Sequence, residues 1–341
     1  MQPIRTAIVG FGLAGSVFHA PAIAANPRYS LDSIVTSNPE RRALARARYP
    51  RARVLDSADE LFAQPGLDLV VLGTPPASHA PLAHAALDRR IAVVVDKPFT
   101  VTSVQGQELI DRATGLGVPL TVYQNRRWDG EYLTLRKLLA EDALGEVYRF
   151  ESRIERWSQE IAKPWKAAAR ADDGGGLLYD LGTHLIDQAL QLFGPVTRVY
   201  GELSARRPQE KADDDDFVAL RHANGVRSHL WMNFSAARLG PRFRVLGAKA
   251  GYTKLRADLQ EAQILAGVLP GSAAYGLDPQ ENWGTLGRDG ALIPVPTERG
   301  NFPAFYELLA ASLLERGALP VDPADSVAAL KIIERVRAQN G

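Results

Sequence analysis

The sequence predicts an α/β half followed by an α+β half, and three observations carry that reading. A glycine-rich turn, Gly10-Phe11-Gly12-Leu13-Ala14-Gly15, lies between two apolar runs at the start of the chain. Strand-like and helix-like runs then alternate as far as Tyr123. Beyond Tyr123 a helix is followed by several strands in succession, joined by short turns. Alternating β and α runs build a doubly wound parallel sheet covered by helices on both faces. Successive strands build an open, largely antiparallel sheet with helices on one face. The expected division is residues 1–122 and 123–341, with the last helix, near 324–339, free to pack back on the first part.

Ile4 to Val9 (IRTAIV) reads as a short buried strand, and the glycine turn follows it directly. Ser16 to Ala25 reads as the next helix, stopping near Asn26-Pro27. Strand, GxGxxG and helix in that order make a dinucleotide-binding Rossmann unit. Gly10 makes the tight turn, Gly12 lets the pyrophosphate approach the backbone, and Gly15 permits close helix-to-strand packing. Phe11, Leu13 and Ala14 complete the loop.

Leu31 to Val35 (LDSIV) is the second strand, and its end distinguishes the two dinucleotides. An NAD site offers a carboxylate to the ribose 2′-hydroxyl there. This chain offers Thr36, Ser37, Asn38, Pro39, Glu40, Arg41 and Arg42. Hydroxyls followed by guanidinium groups suit a 2′-phosphate, so the expected cofactor is NADP(H), with Thr36, Ser37 and Arg41 as contacts. The alternative is that Arg41 and Arg42 are solvated charges on the next helix.

Leu67 to Gly73, Ile91 to Val95 and Leu120 to Tyr123 read as further strands, with helices at Ser78 to Leu87 and Ser103 to Gly115. Ligands on such sheets bind at the carboxyl ends of the strands. Thr74-Pro75-Pro76 and Asp96-Lys97-Pro98 stand at two of those ends, so Thr74, Pro75, Lys97 and, at the head of the following helix, His79 are expected on the cofactor side. Lys97 could instead cap a helix or pair with Asp96.

In the second half, Gly130 to Ala140 reads as a helix and Glu146 to Arg156 as an alternating strand. Val196 to Leu203, Phe217 to His222, Val226 to Phe234 and Phe243 to Leu246 read as the later strands. Glu315 to Leu319 and a helix from Ala324 to Gln339 close the chain. Asp213 to Asp216 reads as a solvated turn rather than a metal site. Between the first strand and the later ones lies GGGLLYDLGTHLIDQALQLFG, Gly174 to Gly194, an apolar helix headed by Asp180 and His184. Four residues apart, the two share one helical face. A histidine titrating near neutrality is the usual group for moving a hydroxyl proton, so His184 is the expected acid-base residue and Asp180 its orienter. Lys97 is expected to hold the reacting oxygen. Tyr123, Asn125, Arg127 and Trp128 leave the last parallel strand at its carboxyl end and are expected to line a pocket suited to a polyhydroxylated ring. The bland alternative is a surface Asp-His pair. A metal site built on Asp180, His184 and Asp187 is disfavoured, because the glycine loop supplies no further ligand.

The composition is that of a two-part enzyme. At 341 residues the chain exceeds the usual size of one domain, and it holds no cysteine, which excludes disulfides, thiolate metal sites and cysteine nucleophiles. Forty basic against thirty-nine acidic residues leave a charge of +1, so nothing points to nucleic acid or a membrane surface. Met1-Gln2-Pro3 runs straight into the first strand, and the expected location is the cytoplasm.

GFGLAGSVFHAP at the start, DKPFTVT from Asp96, YQNRRWDGEYLTLRKLL from Tyr123 and GGGLLYDLGTHLIDQALQLFG from Gly174 together resemble the Gfo/Idh/MocA family, over essentially the whole chain. The likeness extends to the branch of NADP-dependent scyllo-inositol dehydrogenases, in which NRRWD and YDLG-H-DQ recur. It implies a Rossmann domain, an open-sheet domain used for substrate binding and oligomerisation, and oxidation of an alcohol on a cyclitol or sugar. It also implies that Lys97 is the lysine of the family's E/D-K-P motif, that Asp180 and His184 are its helical pair, and that Trp165 and Lys166 lie near the cofactor. Relatives commonly carry Trp-Arg at that last position, and lysine offers no bidentate fork. A homodimer or homotetramer is the expected assembly. Two other functions stay open: a dinucleotide-dependent glycoside-cleaving enzyme with no net oxidation, and a non-catalytic NADP sensor.

Overall fold

The computed structural model describes residues 2–159, 170–207 and 212–340. Six strands form a wholly parallel sheet: β1 (Ile4–Val9), β2 (Tyr29–Val35), β3 (Arg53–Leu55), β4 (Leu69–Leu72), β5 (Ala92–Asp96) and β6 (Leu120–Tyr123). Their order is β3-β2-β1-β4-β5-β6. β4 is buried at every position and β5 at all but its last, as expected for strands covered on both faces. The connections carry helices: α1 (Ala20–Ala25), α2 (Pro39–Arg48), α3 (Ala58–Phe62), α4 (His79–Leu87) and α5 (Ser103–Leu116). A capping box at Thr102 and Gln105 starts α5, and Gly117 in the left-handed region ends it.

The second sheet has eight strands in the order β14-β13-β12-β11-β7-β10-β9-β8. They are β7 (Val147–Glu155), β8 (Val196–Ser204), β9 (Asp215–His222), β10 (Arg227–Asn233), β11 (Phe243–Gly247), β12 (Gly251–Lys254), β13 (Gly284–Arg288) and β14 (Ala291–Val295). Every pairing is antiparallel except β7 with β10. Along β10 the buried residues Ser228, Leu230 and Met232 alternate with the half-exposed His229 and Trp231, so one face is core and the other partly open. α6 (Gly130–Ala140) precedes β7, and α7 (Thr183–Phe193) lies on the core face, where the Phe193 and Phe150 rings are 5.3 Å apart.

The division of the chain differs from a single break at 122. One unit comprises 1–125, 260–275 and 302–327, and the other 126–259, 276–301 and 328–341. The cause of the return is aromatic. α8 (Gln260–Leu265) and α9 (Ala304–Glu315) belong to the first unit, and α9 brings Phe305 and Tyr306 into its core. The Tyr306 hydroxyl lies 2.7 Å from His19 Nδ1, the Phe305 ring lies 4.8 Å from that of Tyr123, and Tyr29 donates to the Tyr306 carbonyl at 2.7 Å. The last helix, α10 (Pro323–Asn340), counts with the first unit only as far as Val327. Its final turn packs on β8, where Gln339 and Asn340 bond the backbone of Val199, Gly201 and Leu203.

Candidate functional site

In the first unit the strand register lines up the candidate residues. Val9 is paired with both Val35 and Leu72, and Leu72 with Val95. Gly10, Thr36, Gly73 and Asp96 therefore stand together at one edge of the sheet. The order reverses between β1 and β4, and that switch point is where α/β sheets open a binding crevice.

The three glycines of the loop are required for different reasons. Gly10 has φ +96°, and a Cβ there would lie 2.5 Å from the Gly73 carbonyl oxygen. A Cβ at Gly15 would strike the Gly10 carbonyl. At Gly12 the nearest atom to such a Cβ is Arg41 Nη1 at 3.6 Å, so protein packing does not demand this glycine. Its bare face is room for another group's close approach, which is how a pyrophosphate meets this loop, and the residues present fit a dinucleotide. The segment after the loop begins as a π-helical turn (Ala14–His19) before α1, a wide turn that recurs at functional sites. The Phe11 side chain is buried against the edge of Tyr49, leaving only its backbone for a ligand, whereas Leu13 is exposed.

At the end of β2, Thr36 is buried and its N–H donates to the Leu55 carbonyl at 3.0 Å; Ser37 is exposed. The Asn38 side chain caps α2 by accepting from the Arg41 N–H. Arg42 forms an ion pair with Asp56. Among the described residues no hydrogen bond or ion pair takes the Arg41 guanidinium, which lies over Gly12.

Thr74 and Pro75 follow β4, and Lys97 follows β5. The Lys97 N–H donates to Asp96 Oδ1 at 2.9 Å, the Lys97 side chain is half-buried, and the Lys97–Pro98 peptide is cis. His79 is not on the ligand side as expected. It is 0 % exposed, with both ring nitrogens against backbone carbonyls: Nε2 at 2.9 Å from Thr74 O, Nδ1 at 3.0 Å from Pro98 O and 3.3 Å from Phe99 O. Tyr123 also departs from expectation, because its ring is buried between His19, at 4.4 Å, and Phe305 rather than lining a pocket.

In the second unit, Asp180 lies in a second π-helical turn (Leu178–Gly182) that runs into α7, and His184 is the second residue of α7. Asp180 is half-buried and His184 is buried, as are Leu177, Leu181, Leu185, Ile186 and Ala189 around them, which disposes of a surface pair. Asp213 fixes the start of this turn. Its carbonyl and carboxylate accept from the Leu177 and Leu178 N–H groups at 2.9 and 2.7 Å, and a Cβ at Gly176 would strike its carboxylate. Asp213 to Asp216 is thus not a solvated turn: Asp213, Asp214 and Asp216 are buried. Asp214 accepts from the Arg207 side chain and from the Arg206 and Arg207 N–H groups. Burial, with the Asp213 carboxylate next to it, pushes the Asp216 carboxyl up to about 11, so it is neutral in the fold.

Arg127 is committed elsewhere than expected. Its Nε and Nη2 grip Asp187 at 2.8 and 2.6 Å, fastening the turn at Asn125–Trp128 to α7. Next to it on α7, Gln188 donates to the Arg126 carbonyl at 2.8 Å and accepts from Arg242 at 2.9 Å. The buried Arg242 also reaches Glu131 at 3.0 Å and Ser152 at 2.6 Å. These residues, and His19, were not singled out from the sequence. His19 stands within the GFGLAGSVFHAP stretch, and Arg242 carries no local signal at all. Asn125 is buried and Trp128 half-exposed. Trp165 and Lys166 lie outside the described residues.

Residues 4–124 match the oxidoreductase family with an NAD-binding Rossmann fold, and residues 132–253 match the GFO/IDH/MocA C-terminal domain. The chain is similar to the uncharacterized oxidoreductase YdgJ of Escherichia coli K12, at 37% identity over 97% of this chain and 94% of that one. It is 32% identical to the scyllo-inositol 2-dehydrogenase (NADP(+)) IolW of Bacillus subtilis 168, over 98% and 93% of the two chains. Among solved structures, that of yvaA from Bacillus subtilis superposes with a TM-score of 0.91 at 31% identity, covering 99% of this chain and 96% of that one.

Proposed function

The chain belongs to the Gfo/Idh/MocA oxidoreductases, and from that premise we propose that it interconverts a secondary alcohol and a ketone on a cyclitol or sugar, using NADP(H). The observation that carries the cofactor preference is Arg41, which lies over Gly12 from the first turn of α2, while Thr36 and Ser37 stand at the end of β2 where an NAD site has its carboxylate. The similarity to IolW supports both the phosphorylated cofactor and a polyol substrate.

The loop at Gly10, Gly12 and Gly15 would hold the pyrophosphate, Thr36, Ser37 and Arg41 the 2′-phosphate, and Thr74, Pro75 and Lys97 the nicotinamide side. The nicotinamide, when bound, supplies the redox step by taking or giving hydride at the carbinol carbon. His184 takes the hydroxyl proton in oxidation and returns it in reduction. Asp180 orients that imidazole, and the Lys97 ammonium steadies charge developing on the oxygen. Asn125 and Trp128 remain our choice for contacts to the ring hydroxyls, whereas Arg127 is held by Asp187.

We also propose a homo-oligomer located in the cytoplasm. The face of the second sheet opposite α7 supports the assembly: it carries Phe217 and Trp231, with rings 5.1 Å apart and the Arg153 guanidinium 3.8 Å over Trp231. No helix among the described residues is long and apolar enough to cross a membrane.

The experiment is a substrate panel, inositol isomers and aldoses with NADP and the corresponding ketones with NADPH, followed at the nicotinamide absorbance. Turnover of at least one polyol–ketone pair is expected. Cleavage of a glycoside without net cofactor consumption, or cofactor binding without any turnover, would replace this reading by one of its two alternatives.

A further inference from the structure

We propose that His79 is a positioning residue, a strut between the loops at the carboxyl ends of β4 and β5 that holds Lys97 in place for its work on the substrate oxygen. The proposal rests on the role given to Lys97 above. Its ground is geometric. The two loops run side by side beyond the last paired residues of their strands, Leu72 and Val95. Three of their residues, Pro75, Pro76 and Pro98, have no N–H, so the backbone has few donors with which to tie one loop to the other. The imidazole supplies what the prolines lack. It is the first residue of α4, it lies between the Thr74 carbonyl on one side and the Pro98 and Phe99 carbonyls on the other, and it is fully buried, so water does not substitute for it.

The surroundings favour a fixed neutral ring. Burial lowers the affinity of His79 for a second proton and outweighs the Thr74, Pro98 and Phe99 carbonyls, which favour that proton; the Lys97 charge opposes it further. The His79 ring in turn opposes protonation of His19, which lies 3.9 Å through Nε2 from Asp96 Oδ1, the oxygen that accepts the Lys97 N–H. A neutral imidazole has a single N–H, so it donates to the carbonyls of one loop at a time, and the nitrogen turned to the other loop has no proton to donate. With both nitrogens occupied by the backbone, the ring has no part in proton transfer to substrate. Its effect on the reaction passes through Lys97.

The test uses His79→Phe, which keeps a flat aromatic ring and loses the polar atoms, and His79→Asn, which keeps one donor group. In the first measurement the full-length protein is treated with an amine-reactive acylating reagent, and the labelling rate of each lysine is read by mass spectrometry with the exposed Lys137 as internal reference. The expected result is a several-fold faster labelling of the half-buried Lys97 in both variants, with Lys137 unchanged. This needs no substrate, so it decides the strut even if the proposed reaction is wrong. The second measurement is kinetic. His79→Phe should lower kcat on the order of 10- to 100-fold, as misplacement of a catalytic group does, with NADP(H) affinity nearly unchanged, and the double variant with Lys97→Ala should be no slower than Lys97→Ala alone. Lys97 labelling that is unaltered in whichever variant folds, or kinetic losses that multiply in the double variant, would overturn the proposal. Absence of turnover in the unmodified protein would instead count against the reaction.

Discussion

Arg41 and Arg42 are adjacent in the chain and opposite in their commitments. Arg42 is paired with Asp56, and Arg41 points over the phosphate loop. Replacing Arg41 with Ala should therefore weaken NADP(H) by about 1.5–3 kcal/mol, the worth of a charge-assisted contact, while NAD(H) is little affected; comparing kcat/KM for the two cofactors checks it, and Arg42→Ala serves as the control. His184→Ala should lower turnover by about 10²- to 10⁴-fold with cofactor affinity retained. Near-normal turnover between about pH 6 and 9 would make that histidine structural and pass the proton to another group. His19 gives a pH dependence of stability. Burial holds it down to about 4 against 6.5 in a free chain, so the fold favours its neutral form. That contribution is full above about pH 6.5 and is lost as the pH falls toward 4, amounting to about 3 kcal/mol in all. Urea unfolding of the protein and of His19→Asn at pH 7.5 and 4.5 should show the difference between them shrinking or reversing at the lower pH. Asp216 works in the opposite direction, since its raised pKa favours the fold at low pH, so the comparison must be between variants rather than absolute.

At the scale of elements, β1 and β6 were legible to the residue and most other strands to within one or two, because a covered parallel strand is a short run of apolar side chains bounded by turn residues. β12, β13 and β14 were not legible. They are four or five residues long, they carry glycines at 251, 284 and 287, and β14 is exposed along nearly all its length, so no alternation marks them. α9 was also missed, since AFYELLAASLLE is too evenly apolar to show a polar face, and its place in the first unit depends on partners nearly 300 residues away in sequence. The same distinction governs the candidate site. Asp180 and His184 announce themselves by spacing, whereas what holds their helix is long-range: Asp187 on Arg127, Gln188 on Arg126 and Arg242, and Glu131 on Arg242. Arg242→Met should cost about 3–5 kcal/mol, because it leaves Glu131 buried without its cation. Chemical denaturation measures this directly, and a loss under 1 kcal/mol would mean that water or another cation replaces Arg242.

At the scale of the whole molecule, the loop Gly10–Gly15 and Lys97 belong to one unit and Asp180 and His184 to the other, and the first unit is completed only when the chain returns at 260–275 and 302–327. A protein cut after residue 125 should therefore lose Tyr306, which contacts both His19 and Tyr29, and fail to bind NADPH, whereas a design that appends 302–327 should recover part of the binding. Fluorescence titration with NADPH checks both. The proposed assembly predicts a light-scattering mass that is a multiple of 37.1 kDa at micromolar concentration. Trp231→Glu, on the open face of the second sheet, should shift it toward the monomer. The proposed reaction is net hydride transfer from NADPH to a ketone of a cyclitol or sugar. NADPH carrying deuterium at the transferable position of nicotinamide C4, incubated with the ketone that the substrate panel identifies, tests it most directly. One deuterium is expected on the new carbinol carbon for each NADPH consumed, with NADPH preferred over NADH; a product without label, or label that returns to the cofactor with no net consumption, would rule out net hydride transfer.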